Sequence, residues 1–370
     1  MWLSLLPCAL ATTLSLSEVL ARGLDDSASA RSLEAQRELS RAEAMAGVYP
    51  NPLAELERVG DETEARLTVP LPLPGPATAA RSSREAADSR YEADRADYAA
   101  ELTRAYVELV RTEQIAALTR HNAALSEELA AGARRRLEAG EISPTEALIT
   151  ESMSAARSVA ALRAEQDRLA AAAALEALLN LPTTGTLESE GWPQLQEPAM
   201  QLTEDPWTQA ANLRADAARV QARAAAIQTL SPAATLGAIN GPAGAGWILG
   251  ASLELPLSAP ARLHAARSNA DFASAEAEKT RSSLDAARAV ARARAEAAAD
   301  ALARSEVPGL DAAPDALAEA LQAGELSLGD YAAQQALVTE ALSARAELQA
   351  ERELAVLALW TLNGLPPESP

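Results

Sequence analysis

The side chains able to carry chemistry in this sequence are carboxylates and little else. There are 52 Asp and Glu residues, against one cysteine, Cys8, and two histidines, His121 and His264. Paired carboxylates act as general acid and base, or hold a hard cation, when they converge on one pocket. Here they are strewn along helical patterns, on faces that water reaches. One thiol makes neither a disulfide framework nor a thiol metal site. The histidines stand far apart without neighbouring ligands and read as helix-surface residues. No nucleophile–base set and no phosphate-binding glycine loop accompanies them. No enzymatic activity, cofactor or metal site is expected.

Charge narrows the partners. The formal net charge is −20, and Lys279 is the only lysine, arginine carrying the rest of the positive charge. Nucleic acid needs a basic patch, so it is not an expected partner. The acidic balance is compatible with attracting or conducting cations. Aromatics make up only 3% of the chain, with Phe272 the single phenylalanine. Compact cores lean on aromatic area. Alanine-dominated helices with Leu and Val stripes point instead to close helix–helix packing, as in coiled coils.

The elements that carry these residues occur twice. Leu137-Glu138-Ala139-Gly140-Glu141-Ile142-Ser143 returns as Leu321-Gln322-Ala323-Gly324-Glu325-Leu326-Ser327, and subtracting 140 from 324 gives an offset of 184. The same offset joins Pro182, after Leu179-Asn180-Leu181, to Pro366, after Asn363-Gly364-Leu365. Repetition on this scale is a tandem duplication. In each copy the glycine suits the left-handed position at a helix C-terminus. Ser143 with Pro144 and Glu146 supplies an N-cap, a proline in the first turn and a capping-box acid, and Ser327 with Asp330 repeats the arrangement. Each copy therefore predicts a tight turn between antiparallel helices.

In chain order, residues 2–11 form a short apolar run ending in Ala9-Leu10-Ala11, like a secretory signal and its cleavage site. Residues 1–11 are thus expected to be removed, with lipidation of Cys8 as the alternative. A helix over 14–48 is stopped by Tyr49-Pro50-Asn51-Pro52. Two alternating stretches follow, 53–59 and 65–73, read as strands. An unbroken helical pattern over 76–139 would reach roughly 95 Å at about 1.5 Å per residue. Tyr91, Tyr98, Leu102 and Leu109 mark its coiled-coil seam. A return helix covers 144–179. Residues 183–205 read as a linker. The second copy then runs through a helix to 230, strands over 233–239 and 247–255, a long segment over 261–323 and a last helix over 328–362. Pro308 and Pro314 are expected to break the long segment. The domain reading is a first repeat at 12–182, the linker, a second repeat at 206–366 and a tail at 367–370.

No run of 18 apolar residues is present, so no helix is expected to cross a membrane. Short amphipathic strands can cross one when about nine to eleven residues long and tilted. Four strands cannot close a barrel, and lipid forbids an open edge because its backbone groups have no partner. Association is then required, and three chains would supply twelve strands.

The doubled order of helix, strand hairpin, long helix, Gly140-Glu141-Ile142-Ser143 turn and Leu-Asn-Leu-Pro ending resembles the TolC-type outer-membrane factors, over nearly the whole chain. Within them it is similar to the branch found in heavy-metal and cation efflux systems. The resemblance implies a mainly α fold of duplicated long antiparallel hairpins forming a coiled-coil α-barrel, with two β-hairpins giving four strands to a trimeric twelve-stranded outer-membrane β-barrel. It implies a homotrimer set in outer-membrane lipid, its helical part in the periplasm. The function implied is the passive exit duct of a tripartite efflux pump, working with a periplasmic membrane-fusion adaptor and an inner-membrane pump. The tips implied to dock the adaptor are Gly140, Glu141, Ile142 and Ser143 with Gly324, Glu325, Leu326 and Ser327, Ile142 and Leu326 being exposed apolar contacts. Glu146 and Asp330, six positions after the glycines, are implied to line a cation-selecting aperture. Both also suit helix N-termini as dipole partners. The alternative is a periplasmic adaptor or coiled-coil scaffold without channel activity, which should carry one hairpin, β-rich lipoyl-like halves and a membrane anchor.

Overall fold

The computed structural model describes residues 13–46, 53–59, 62–70, 74–198, 205–228, 231–241, 244–254 and 259–365. The expected signal segment, the Tyr49-Pro50-Asn51-Pro52 stop and the tail at 367–370 lie outside the described residues.

The fold is mainly α. A two-residue strand β1 (Thr13–Leu14) precedes helices α1 (Leu16–Asp26) and α2 (Ala28–Ala46). Strands β2 (Leu53–Val59) and β3 (Glu62–Pro70) lead into α3 (Pro74–Glu138), and α4 (Pro144–Leu178) returns. After β4 (Glu188–Ser189), the second round comprises α5 (Pro206–Gln228), β5 (Ser231–Gly241), β6 (Gly244–Glu254) and α6 (Ala259–Ser305). A short 3₁₀ turn (Leu310–Ala312), α7 (Ala313–Gln322) and α8 (Leu328–Leu362) complete it.

The expected helix over 14–48 is two helices. Ser27 is buried and extended, with ψ 157°, and its Oγ accepts the Ala30 N–H at 3.0 Å. Tyr98 Oη lies 3.0 Å from the same Oγ and 2.9 Å from Leu178 O, so the break is held from α3 and α4. In the second copy α6 stops at Ser305, before Pro308 and a left-handed Gly309 with φ 82°. Pro314 opens α7 in the first turn, where its missing N–H leaves no bond unmade.

The chain divides into two compact units. The first comprises Met1–Arg31, Arg95–Met200 and Ala287–Pro370. Its core is built from Val19 of α1, Leu102, Tyr106 and Leu109 of α3, Leu175 of α4, and Tyr331 and Leu357 of α8, all at 2% exposure or less. Residues 183–198, read as a linker, are bound onto this core by carboxylates. Glu176 accepts the N–H groups of Thr184, Gly185, Thr186 and Leu187 at 2.6, 2.7, 3.1 and 3.2 Å. Glu113 accepts from Ser189, and buried Glu353 accepts the Leu195 N–H at 2.8 Å. β4 pairs in parallel with β1.

The second unit comprises Ser32–Asp94 and Gln201–Ala286. Its helices pack through alanines, among them Ala86 and Ala93 of α3, Ala215 of α5 and Ala277 of α6. Small side chains let helix axes approach closely, which is why so few aromatics suffice. Arg37 and Arg41 both reach Asp88 Oδ1, at 2.9 and 2.7 Å. The four longer strands form one antiparallel sheet in the order β2-β3-β5-β6, the two hairpins joining at β3 and β5.

Candidate functional site

The two tip turns share one local chemistry. Gly140 has φ 75° and Gly324 φ 76°, the left-handed conformation that favours glycine. The Gly140 N–H donates to Leu137 O at 2.9 Å and the Glu141 N–H to Arg136 O at 2.9 Å. In the second tip Gly324 donates to Leu321 O at 3.1 Å and Glu325 to Ala320 O at 2.9 Å. These paired bonds are the Schellman closure, which satisfies carbonyls that a helix end leaves free. The far ends of the return helices close the same way, with Asn180 at φ 57° and Gly364 at φ 66°.

Helix starts follow directly. Ser143 Oγ accepts the Glu146 N–H at 3.2 Å, and a Glu146 carboxylate oxygen accepts the Ser143 N–H at 2.8 Å, closing a capping box. The Ser143 backbone N–H holds the Glu146 carboxyl below the usual carboxylate range. Asp330 is one methylene shorter. Its N–H donates to Ser327 Oγ at 3.1 Å, and that hydroxyl donates to Asp330 Oδ2 at 2.6 Å. Both acids are exposed.

The two tips meet at an open groove of about 870 Å³, lined by Leu129, Gly132, Ile142, Glu146, Leu321 and Leu326 among others. Ile142 and Leu326 are half-buried, which corrects the expectation that both are exposed. Their side chains lie along a bed that already holds Leu129 and Leu321, so each avoids water by folding inward. Glu141, Ser143, Glu325 and Ser327 are exposed as the turn demands. Asp330 stands outside the groove, so the structure does not bring it together with Glu146 there. Sequence reasoning missed the basic rim: Arg135 and Arg136 line the groove, Arg136 Nε lies 3.5 Å from Glu141, and Arg134 meets Glu151 at 2.5 Å. The signal was present in three consecutive arginines in the last turns of α3, where cations meet the negative helix end.

The sheet is the other site. Registered pairs align Ala54, Leu67, Leu236 and Leu249 in one row across the four strands. The next row on the same face is Leu56, Ala65, Ala238 and Trp247. Val69, Ala234 and Ala251 extend that face. These three rows are apolar, giving way to Arg58, Thr63 and Asn240 only at the hairpin end, yet Leu56, Trp247 and Leu249 are 78, 79 and 82% exposed. The opposite face carries Glu55, Glu57, Glu64, Arg66, Thr68 and Thr235. Arg66 pairs there with Glu64. Within the described sheet, β2 and β6 each have one edge without a partner strand. A water-facing sheet turns its polar face outward, so an exposed, continuous apolar face requires an apolar neighbour. No described helix is long and apolar enough to cross a membrane.

No protein-family model matches the sequence, and no curated protein does. Solved structures do match. The outer membrane protein VceC from Vibrio cholerae superposes with a TM-score of 0.75 at 17% identity, over 95% of this chain and 96% of that one. CusC, whose structures concern folding and transmembrane channel formation, gives 0.77 at 14% identity, over 95 and 92%. The Campylobacter jejuni CmeC outer membrane channel gives 0.72 at 13% identity, over 96 and 86%. Across both helical repeats and the four-stranded sheet, this chain has the fold of the outer-membrane channel proteins of the TolC type.

Proposed function

We propose that the protein is the outer-membrane duct of a tripartite efflux system, a passive channel through which metals, drugs or other small solutes leave the cell. The observation that carries the reading is the apolar face of the β2-β3-β5-β6 sheet, bare in one chain and bounded by open edges. Three chains would join those edges into a twelve-stranded barrel with the apolar face toward lipid and the Glu- and Thr-bearing face toward the lumen. Residues 1–11 serve as the export signal in this reading. Residues 12–182 and 206–366 are the two repeats, joined by 183–205 and followed by a tail at 367–370. The helical part stands in the periplasm.

The groove between Gly140-Glu141-Ile142-Ser143 and Gly324-Glu325-Leu326-Ser327 docks the helical hairpin of a periplasmic adaptor, which connects the duct to an inner-membrane pump. Ile142 and Leu326 offer the apolar wall of that groove and Arg136 its charged rim. Glu146 and Asp330 line the aperture and favour cations. The rival reading, a coiled-coil scaffold without a channel, gives the exposed sheet face no partner.

The test is direct. Purified in detergent and added to a planar bilayer, the protein should conduct, with cations preferred. Glu146→Gln with Asp330→Asn should shift that preference without changing the amount of trimer. Ile142→Asp with Leu326→Asp should abolish efflux in cells while trimer and membrane insertion persist. A protein recovered only from the soluble fraction, monomeric and non-conducting, overturns the reading.

A further inference from the structure

Within the second unit, α2, α3 and α5 enclose an open cavity of about 510 Å³ that the proposed duct does not use. That is room for a small ligand. Its α3 wall is one helix face, since Ser83, Ala87, Arg90 and Asp94 recur at spacings of four and three. Alanines at 86 and 87 are too small to fill the space beside them. Arg37 and Ser40 of α2 and Arg214 of α5 complete the polar lining. In a chain of net charge −20, this lining carries three arginines against a single carboxylate, Asp94.

Two of the arginines are fixed before any ligand arrives. Arg90 stacks on the Trp207 ring, 4.4 Å from its centroid, and donates through Nε to Asp94 at 3.1 Å. Arg37 stacks on Tyr91 at 4.8 Å and donates through Nε to Asp88 at 2.9 Å. A guanidinium held by a ring and a carboxylate loses little freedom on taking a further partner. In both, the Nη groups make no hydrogen bond among the described residues. Arg214 is exposed and meets no carboxylate among them. Asp88 already serves Arg41 as well as Arg37, so acids, in excess over the whole chain, run short at this one place.

We propose that this cavity binds a phosphate group, carried by a free solute or by a lipid headgroup, through Arg37, Arg90 and Arg214. Asp88 and Asp94 occupy the Nε sides, so what remains for a ligand is Nη donors from separate helices. A phosphate dianion presents enough oxygens to take them in pairs, whereas a carboxylate has two. The hydroxyls of Ser40 and Ser83 add neutral donors at the wall. The site belongs to the helices alone and stands whether or not the chain is a duct.

The test is titration calorimetry of the full chain in dodecyl maltoside with inorganic phosphate, at mildly alkaline pH and constant ionic strength. Phosphate should bind saturably, one per chain, and acetate about tenfold more weakly or less. Arg214→Gln should weaken phosphate binding by about tenfold or more, with thermal unfolding unchanged because Arg214 has no partner to lose. Arg219→Gln removes the same charge from the same helix, outside the cavity, and should alter affinity by less than about twofold. Asp94→Asn should tighten binding, because it removes a competing anion; a purely structural Asp94 predicts no gain. Phosphatidylglycerol added to the micelles should compete with phosphate if the occupant is a headgroup, where an equal charge of oleate does not. Absence of that competition assigns the site to a free phosphorylated solute, and either result supports a phosphate site. No saturable phosphate binding overturns the proposal, as do equal losses from Arg214→Gln and Arg219→Gln.

Discussion

Leu249 offers the sharpest test of where the sheet lives. It is the middle residue of β6, whose 11 residues run from Gly244 to Glu254. A strand of that length, at about 3.3 Å per residue and tilted by about 45°, spans roughly 25 Å, the height of a lipid-facing band. Leu249 therefore stands near mid-bilayer if the apolar face meets lipid. Its side chain is 82% exposed in one chain. In water, Leu249→Arg should then change stability by no more than about 0.5 kcal/mol, as surface substitutions do. In lipid, arginine at the midplane costs about 2–4 kcal/mol, or roughly a 30- to 900-fold shift in each chain's insertion equilibrium. A trimer carries the substitution three times. The assay is the yield of heat-modifiable trimer in the outer-membrane fraction, with Thr235→Arg as the control because Thr235 sits on the polar face. Leu249→Arg should deplete the trimer by more than tenfold and Thr235→Arg by less than twofold. Equal, wild-type yields from both would refute a lipid-facing sheet.

The remaining predictions concern the helical unit. Glu176→Ala leaves the buried N–H groups of Gly185 and Leu187 without an acceptor, at about 1–3 kcal/mol each, so amide exchange at both should accelerate on the order of a thousandfold. A change below tenfold would mean the carboxylate does not hold the segment. Burial pushes the Glu176 carboxyl up, but the N–H groups of Gly185, Thr184 and Thr186 prevail and hold it below the usual range. A depressed carboxyl contributes stability that is complete above the unfolded value, about 4.3, and lost as pH falls through the folded one. Exchange at Gly185 should accordingly speed up only below about pH 4. At the tips, a Cβ added to Gly140 meets nothing within 4 Å, so the cost of substitution is the φ of 75° alone. Gly140→Val should cost roughly 1–2 kcal/mol, while Gly140→Asn should be nearly neutral, by thermal unfolding. Asn180 already holds that conformation at the end of α4.

What the sequence determined by itself is what local chemistry decides. A left-handed glycine, a serine cap with an acid three residues on and a proline in a first turn close their bonds within a few residues, so Gly140-Glu141-Ile142-Ser143 and its copy were legible as tight turns between helices. Alternation along 53–59 and 233–239 exposed the strands, because period two depends only on which neighbours share a face. Prolines 308 and 314 marked the interruption between α6 and α7 for the same local reason. The tertiary structure decided whatever rests on a partner far along the chain. Ser27 reads as an ordinary helical residue until Tyr98, 71 positions on, approaches it. Residues 183–198 have a linker's composition, and only Glu113, Glu176 and Glu353 from three helices turn them into an anchored segment. Ile142 and Leu326 fold inward because the opposite tip supplies an apolar bed. Most plainly, Leu162 and Ala346 stand at equivalent places in a duplicated pattern, yet one is exposed and the other buried. Periodicity reports that a helix has an apolar stripe. Whether another helix covers it depends on what the rest of the fold brings there.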